Sequence, residues 1–474
     1  MANSLYVSPN GSDSNNGSQE APFRSIVAAS KSAQPGTVVH VAAGNYSGGF
    51  TTTSSGSTDA HILYVSDTPG AAKIVGAGGG SDMAWQNKGD CVDIKGFEID
   101  GSQANNWRLG FYGTGSHQSF VGNTVHDILT DPGAFAGASN GGAAIEMDRY
   151  NGGVDGLVDS NLVYNIGPAG KTSSTVQGIY MTEAGTVSNN IVHSIVGVGV
   201  HLWHGADHIN IVNNTIDDAR DGGVLVGSGD SGATSTSGDY VTTANNIITN
   251  SVYGISEQGT TGVHNTYANN LLYGNKSADF RLQHGLKATG TVTADPKLVN
   301  PGGNDYHLQA GSPAIGAAMA SAAPSTDFSG GIRSTSQGLD VGALETGSSA
   351  GPAPLPSATA PITTRTLLLD LSEDSYVGDA VFTVTVDGKT IGAGQTVTAS
   401  HADGKSQPFS FNVDLAPGQH DVEVSFLNDR WDGTPGTDRN LYVNALSIDG
   451  TAIADAPFAM YSAGAHHSAV NLTS

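Results

Sequence analysis

The chain reads as all-β: a parallel β-helix over residues 1–346, a linker over 347–364 and a smaller β-sandwich over 365–474. Three observations predict this. VGNTVHDI (121–128) returns as DSNLVYNI (159–166), SNNIVHSI (188–195), VNNTIDDA (212–219), ANNIITNS (244–251) and ANNLLYGN (268–275), which aligns Asn123, Asn161, Asn190, Asn214, Asn246 and Asn270. Their spacings are 38, 29, 24, 32 and 24 residues, a minimum of 24 that loops extend. Between them lie AIEMD (144–148), GIYMT (178–182), GVHLW (199–203), GVLVG (223–227) and GISEQ (254–258), whose apolar alternation is the period of a strand. The composition, 65 glycines in 474 residues and only 13% charged, is not that of a helical bundle.

A short repeat made only of strands and turns describes a solenoid, in which each coil buries its apolar face against the next. Asparagines at matching turns are expected to stack as a ladder, each amide bonding its neighbours. Most glycines are expected at tight turns with positive φ. An amphipathic stretch from Ile26 to Ala33 precedes the coils and is expected to cap them as a helix.

The two ends of this region carry a resemblance. YVSPNGSDSNNGSQEAPFRSI (6–26) with GTVVHVAAGNY (36–46) resembles the N-terminal cap of secreted right-handed β-helix proteins, among them the family 9 polysaccharide lyases. YHLQAGSPAIGAA (306–318) and DVGALE (340–345) resemble the closing segment of the same superfamily. The resemblance implies a right-handed helix over about residues 5–346 and an extracellular protein that acts on polysaccharide. It does not fix the reaction, because this scaffold hosts lyases, hydrolases, epimerases and adhesins.

Charge and cysteine content narrow the classes. Nineteen Lys and Arg against 43 Asp and Glu give a net charge of −24. That balance argues against a nucleic-acid surface, which needs a basic stripe, and against docking on anionic lipid. It suits a cation such as Ca²⁺, which takes clustered oxygens. A single cysteine, Cys91, excludes a disulfide framework and a cysteine-based zinc site. No apolar run approaches the roughly 18–20 residues of a membrane span. Met1 to Ser4 lacks the basic and apolar regions of a signal peptide, so an export signal is expected elsewhere or already removed. A monomer is expected.

Residues 347–364, GSSAGPAPLPSATAPITT, have the composition of a semi-extended linker. Beyond it, TLLLDLSED, AVFTVTVDGKTI, FSFNVDL, HDVEVSFLND and LYVNALSIDG alternate as antiparallel strands of a sandwich. SEDSYVGDAVFTVTVDGKTIG (372–392) and FLNDRWDGTPGTDRNLYVNALSIDG (426–450) resemble the calcium-dependent xylan-binding modules of carbohydrate-binding families 36 and 60. The resemblance implies a Ca²⁺ that bridges protein and sugar hydroxyls. The loop 429–440 offers Asp438 and Asp432 as its leading ligands, then Asp429, with Asn440 or main-chain oxygens completing an oxygen cage.

Stacking the aligned strands places Ile145/Met147, Ile179/Met181, Val200/Leu202 and Val224/Val226 inward. It places Glu146, Tyr180 and His201 in one outward row, with Asp148, Thr182 and Trp203 beside it. Neighbouring coils lie about 4.8 Å apart. Arg149, Glu183 and His204 follow just past the strands, and Tyr112 extends the row by one coil. Carboxylates, tyrosine, histidines, arginine and tryptophan together are unlike the Ser/Thr/Asn face of an inert solenoid.

Tyr180, His201, Arg149, Glu146, Asp148 and His204 are the catalytic candidates; Trp203, Glu183 and Tyr112 are the substrate-binding ones. Asp217, Asp218 and Asp221 fall in a turn and are expected to be structural, and 228–239 is expected to wall the groove. Two chemistries fit. A uronate lyase needs a base, an acid and a partner for the uronate carboxylate, here Arg149. An inverting hydrolase needs two carboxyl groups about 6.5–9.5 Å apart, and Glu146 and Asp148 have that spacing along a strand. The family 9 lyases use a lysine base beside aspartate-held calcium; no lysine occupies these groove positions. The segments of pectin hydrolases are also missing. A non-enzymatic glycan-binding β-helix is the third class.

Overall fold

The computed structural model describes residues 4–348 and 363–472, apart from 77–80, 105, 138–140, 149, 151–152, 230–237, 334–337, 387–388, 416–417, 435 and 454–455. Two compact units, Met1–Pro356 and Ser357–Ser474, divide within the stretch read as a linker. Most of that stretch, 349–362, lies outside the described residues, as does 230–237 of the expected groove wall.

The first unit is a parallel β-helix. Among the described residues its three sheets hold ten, nine and nine strands. One coil runs through Leu109–Gly113, Gln118–Val121 and Thr124–His126, and the next through Gly142–Met147, Gly156–Asp159 and Leu162–Ile166. Each strand pairs in parallel with its counterpart one coil on. The helix Ile26–Ser32 closes the N-terminal end, one residue shorter than expected, with the Ser25 hydroxyl accepting from Ala28 N at 3.1 Å.

Two residues before Tyr180, His201, Leu225 and Ser256, four successive strands of this sheet carry glycine for a steric reason. A Cβ at Gly178, Gly199, Gly223 or Gly254 would lie 2.7, 2.7, 2.8 or 2.6 Å from a carbonyl oxygen of the next coil. Past that position, which Ala144 fills in the preceding coil, Ile145, Met147, Ile179, Met181, Val200, Leu202, Val224 and Val226 all point into one continuous buried core.

The asparagine ladder forms as expected. From Asn123 to Asn270, each Nδ2 donates to Oδ1 of the next asparagine at 3.2, 3.0, 2.9, 3.0 and 2.9 Å. Each backbone N–H donates to that same oxygen at 2.9 Å. The asparagine before the ladder position has a second job that the repeat did not announce. Asn189, Asn213, Asn245 and Asn269 are left-handed, with φ of 53, 53, 59 and 51°. Their amides donate to Thr326 O, Asp340 O, Met319 O and Ala317 O at 2.9–3.0 Å and so fasten the returning C-terminal segment of the helix. Within that segment a buried Arg333–Glu345 pair at 3.1 Å reaches Asn189 Oδ1 at 2.8 Å. Asp217 is structural too: it accepts from Thr249 Oγ1 at 2.8 Å and Asn250 Nδ2 at 2.7 Å.

The second unit is an antiparallel sandwich. One sheet runs Gln407–Leu415, Thr363–Asp374, Asp438–Ile448 and Arg430–Trp431, and the other Lys389–Thr396, Val381–Val386, Gly418–Phe426 and Gly464–Leu472. Leu367, Leu369, Leu371, Phe382, Val384, Val424 and Val443 are in its separate core. Among the described residues, no helix is long and apolar enough to cross a membrane.

Candidate active groove and candidate calcium site

Parallel register brings the outward residues of one sheet into a row. Tyr112 pairs with Glu146, Glu146 with Tyr180, Tyr180 with His201, and His201 with Leu225. Gln86 extends the row on one side, and Ser256 and Arg281 on the other. The strands end at Met147, Met181 and Leu202, so Asp148, Thr182 and Trp203 lie at the first turn position beyond them.

The two carboxylates of the Glu-Met-Asp segment have opposite environments. Asp148 is buried, 2% exposed. Its Oδ1 accepts from Tyr150 N at 2.7 Å and from Thr182 Oγ1 at 3.4 Å, and its Oδ2 accepts from the Tyr112 hydroxyl. Glu146 is half-buried, and among the described residues nothing donates a hydrogen bond to it. Burial, then the Asp148 carboxylate, push its pKa up to about 7 against the pull of Arg108. Arg108, which the sequence reading did not single out, is paired to Asp82 at 2.6 Å.

His201 and Glu183 sit lower than expected. His201 is 8% exposed, with Nδ1 3.2 Å from Gln177 Nε2 and Nε2 enclosed without a hydrogen-bond partner. Burial, then the neighbouring His204, push its pKa down to about 3, so the ring is neutral. It lies under the row as a support and not at the groove surface. Glu183 is 1% exposed. Its carboxylate fills the space left by Gly153 and Gly156, where a Cβ would lie 2.3 and 2.5 Å from its oxygens. A side chain so enclosed has no surface to offer a sugar, which removes Glu183 from the substrate-binding set.

The remaining rings form a contiguous cluster. Tyr180 and His201 centroids are 5.1 Å apart, Tyr180 and His204 6.0 Å, and His201 and Trp203 5.7 Å. Trp203 lies flat on backbone: a Cβ at Gly227 or Gly229 would come within 2.4 or 2.3 Å of its ring. Tyr150, also missed from sequence, joins the cluster with its hydroxyl 2.6 Å from Nδ1 of His204. The hint was an aromatic two residues after Asp148. Arg149 lies outside the described residues.

In the sandwich, a cleft of about 740 Å³ is lined by Trp431, Asp438 and Asn440 together with Glu373, Asp374 and Asp379 from the other signature segment. Oδ1 of Asp429, Asp438 and Asn440 are each buried and accept no hydrogen bond. Buried oxygens without donors are costly unless something positive meets them, so these three fit a hard cation. Asp432 does not belong with them. Its Oδ1 caps the loop turn by accepting from the Thr434 hydroxyl at 2.7 Å and from the Thr437 hydroxyl, and its Oδ2 accepts from Tyr376 at 2.6 Å. Those bonds hold its pKa well below the usual carboxylate range. Arg439 is spent on carbonyls, donating to Gly378 O, Tyr376 O and Val377 O at 2.6–2.9 Å. Burial, with Asp379 adjacent, pushes Glu373 up to about 7.

Comparison with known proteins agrees with this architecture. Residues 5–165 match the family described as Pel9A-like, right handed beta helix region. Residues 173–327 match one described as Disaggregatase related, and residues 366–463 the Ca-dependent carbohydrate-binding module, xylan-binding. A curated relative, "Uncharacterized protein YwoF" of Bacillus subtilis (strain 168), is 55% identical over 42 residues, so the match spans 9% of this chain and 9% of that protein's length. Among solved structures, pectate lyase Pel9A aligns over 72% of this chain and 96% of its own at 18% identity and a TM-score of 0.51. An alginate lyase from Paenibacillus sp. str. FPU-7 aligns over 56% and 92% at 18% identity and a TM-score of 0.35. The chain thus joins a Pel9A-like right-handed β-helix region to a C-terminal segment of the Ca-dependent, xylan-binding module type.

Proposed function

We propose that this is an extracellular polysaccharide lyase that breaks a uronate-containing chain by β-elimination in the groove around Glu146 and Tyr180. One observation carries the choice over hydrolysis. A paired-carboxylate hydrolase needs a second carboxylate free to activate water or to attack the sugar. Asp148 is buried and accepts three hydrogen bonds, so it serves as an organiser of the loop. Glu146, which keeps its proton to near neutrality, supplies a neutral acid that donates to the uronate carboxylate. Tyr180, one rung away, supplies the proton for the leaving oxygen, and neutral His201 with Gln177 supports its ring from below. Trp203 offers its outer face to a sugar ring. The pectate lyase Pel9A is a precedent for a lyase on this fold.

In the module, Asp429, Asp438 and Asn440 would hold Ca²⁺, whose remaining coordination positions bind vicinal sugar hydroxyls. Incubating the full chain with a panel of acidic polysaccharides tests the catalytic reading. Ultraviolet absorbance of an unsaturated uronate supports elimination. New reducing ends without that absorbance select a hydrolase, and retention of glycan without cleavage selects a binding protein.

A further inference from the structure

Elimination needs a base for the proton at C5 as well as an acid for the leaving oxygen, and with Glu146 and Tyr180 assigned and His201 enclosed beneath them the base is unassigned. We infer that Tyr150 is that catalytic base, with His204 as the acceptor of its hydroxyl proton. The inference rests on the lyase reading above and deepens it.

Tyr150 belongs to the coil of Glu146, whereas His204 follows the strand two coils on. The tyrosine side chain therefore spans the intervening coil of Tyr180 to place its hydroxyl 2.6 Å from Nδ1 of His204, with ring centroids 4.7 Å apart. Both ends of this span are built. The backbone N–H of Tyr150 donates to Asp148 Oδ1 at 2.7 Å, which anchors it beside Glu146. His204 sits in the left-handed region at φ 57°, a conformation that non-glycine residues adopt at a cost and that turns its ring back toward the groove. Tyr150 is 56% exposed, so its hydroxyl is within reach of a chain lying over the row. His201, the other imidazole, is enclosed and cannot do this.

The step balances with the groups present. The Tyr150 hydroxyl proton moves to Nδ1 of His204, and the phenolate oxygen takes the C5 proton. The C5–H electrons form the C4–C5 double bond as the C4–O bond breaks, and the leaving oxygen takes the proton of the Tyr180 hydroxyl. His204 then carries the extra proton and Tyr180 the negative charge, and solvent exchange restores both.

The test uses the full chain on whichever acidic polysaccharide it converts to unsaturated product. Tyr150→Phe is expected to lower kcat on the order of 10²-fold or more, with KM within about threefold and the thermal midpoint unchanged. His204→Gln keeps a hydrogen-bond acceptor for the hydroxyl but no proton sink, and is expected to lower kcat about tenfold or more with the same fold retained. A role as a mere tether of the loop would move KM and the thermal midpoint and leave kcat alone. Tyr150→Phe that retains wild-type kcat overturns the assignment while the lyase reading stands. A wild-type chain that forms no unsaturated product from any acidic polysaccharide overturns both.

Discussion

The hydroxyl of Tyr112 donates to Oδ2 of Asp148 one coil on, where Tyr150 N and Thr182 Oγ1 hold the other oxygen. A carboxylate below the groove floor is thus satisfied from its own loop and from both adjoining coils. Tyr112→Phe removes one donor from a buried acceptor, which costs about 1–3 kcal/mol. The β-helix transition should move to lower temperature. An unchanged midpoint in calorimetry would mean that water replaces the hydroxyl and that Asp148 is less enclosed than its burial indicates.

Glu146 gives a pH dependence whose sign follows from its burial and then the Asp148 carboxylate, which raise its pKa against the pull of Arg108. Its folded pKa, about 7, stands above an unfolded value of about 4.3. The folded state holds the proton more tightly, so this contribution to stability is full below the unfolded value and is lost as pH rises through about 7. Elimination that needs the protonated acid should fall over the same upper limb. Asp148→Asn removes the charge that raises the pKa and should shift the limb to lower pH. Arg108→Gln removes the charge that lowers it and should shift the limb to higher pH. Limbs that move together in a kcat/KM profile would separate activity from Glu146.

The row of outward residues was legible because a parallel solenoid repeats its register, so one correct alignment of Glu146 with Tyr180 fixes His201 and Tyr112 as well. Depth was not legible. Alternation says that His201 points outward, but the Gln177 amide over its Nδ1 and the packing of Trp203 bury it, and Gln177 lies 24 residues away in sequence. Glu183 failed for a related reason: the glycines that make room for it belong to the previous coil. Tyr150 was passed over because it lies in a loop, where no period predicts which coil a side chain will reach. In the module, the sequence puts Asp432 with Asp438 ahead of Asp429, because spacing does not show which carboxylate the loop itself satisfies. The Thr434 and Thr437 hydroxyls single out Asp432 as the turn cap.

The paired asparagines offer a separation of roles. Asn214→Ala strips a donor from Val187 O and an acceptor from the backbone and amide of Asn190, all buried. At about 1–3 kcal/mol for each group left unsatisfied, the loss should be several kcal/mol. Asn213→Gly keeps the left-handed backbone and loses the bonds to Asp340 O and Gly342 O and the acceptor of Asn245 Nδ2, an amide that still donates to Met319 O. It should cost less and should expose the closing segment to protease before the coils unfold. Equal destabilisation of the two variants in a denaturant titration would show that the closing segment and the coils unfold as one unit.

Calcium provides the sharpest test of the module, because the acidic residues of its loop are predicted to behave differently. Asp429, Asp438 and Asn440 each bury an oxygen that accepts nothing. An ion that binds only the folded state adds RT ln(1 + [L]/Kd), about 2.7 kcal/mol at a hundredfold excess over Kd. The transition of the sandwich should therefore rise on adding Ca²⁺ and fall back in chelator, while the β-helix transition stays in place. Asp438→Ala should abolish the shift together with calcium-dependent retention of polysaccharide by the full chain, and leave cleavage of short oligosaccharides intact. Asp432→Asn should keep the shift, because its oxygens already accept from Thr434, Thr437 and Tyr376. It should lower only the baseline stability of the loop. A calcium shift that survives Asp438→Ala but disappears in Asp432→Asn would reverse the ligand assignment and make the turn cap the metal-binding residue.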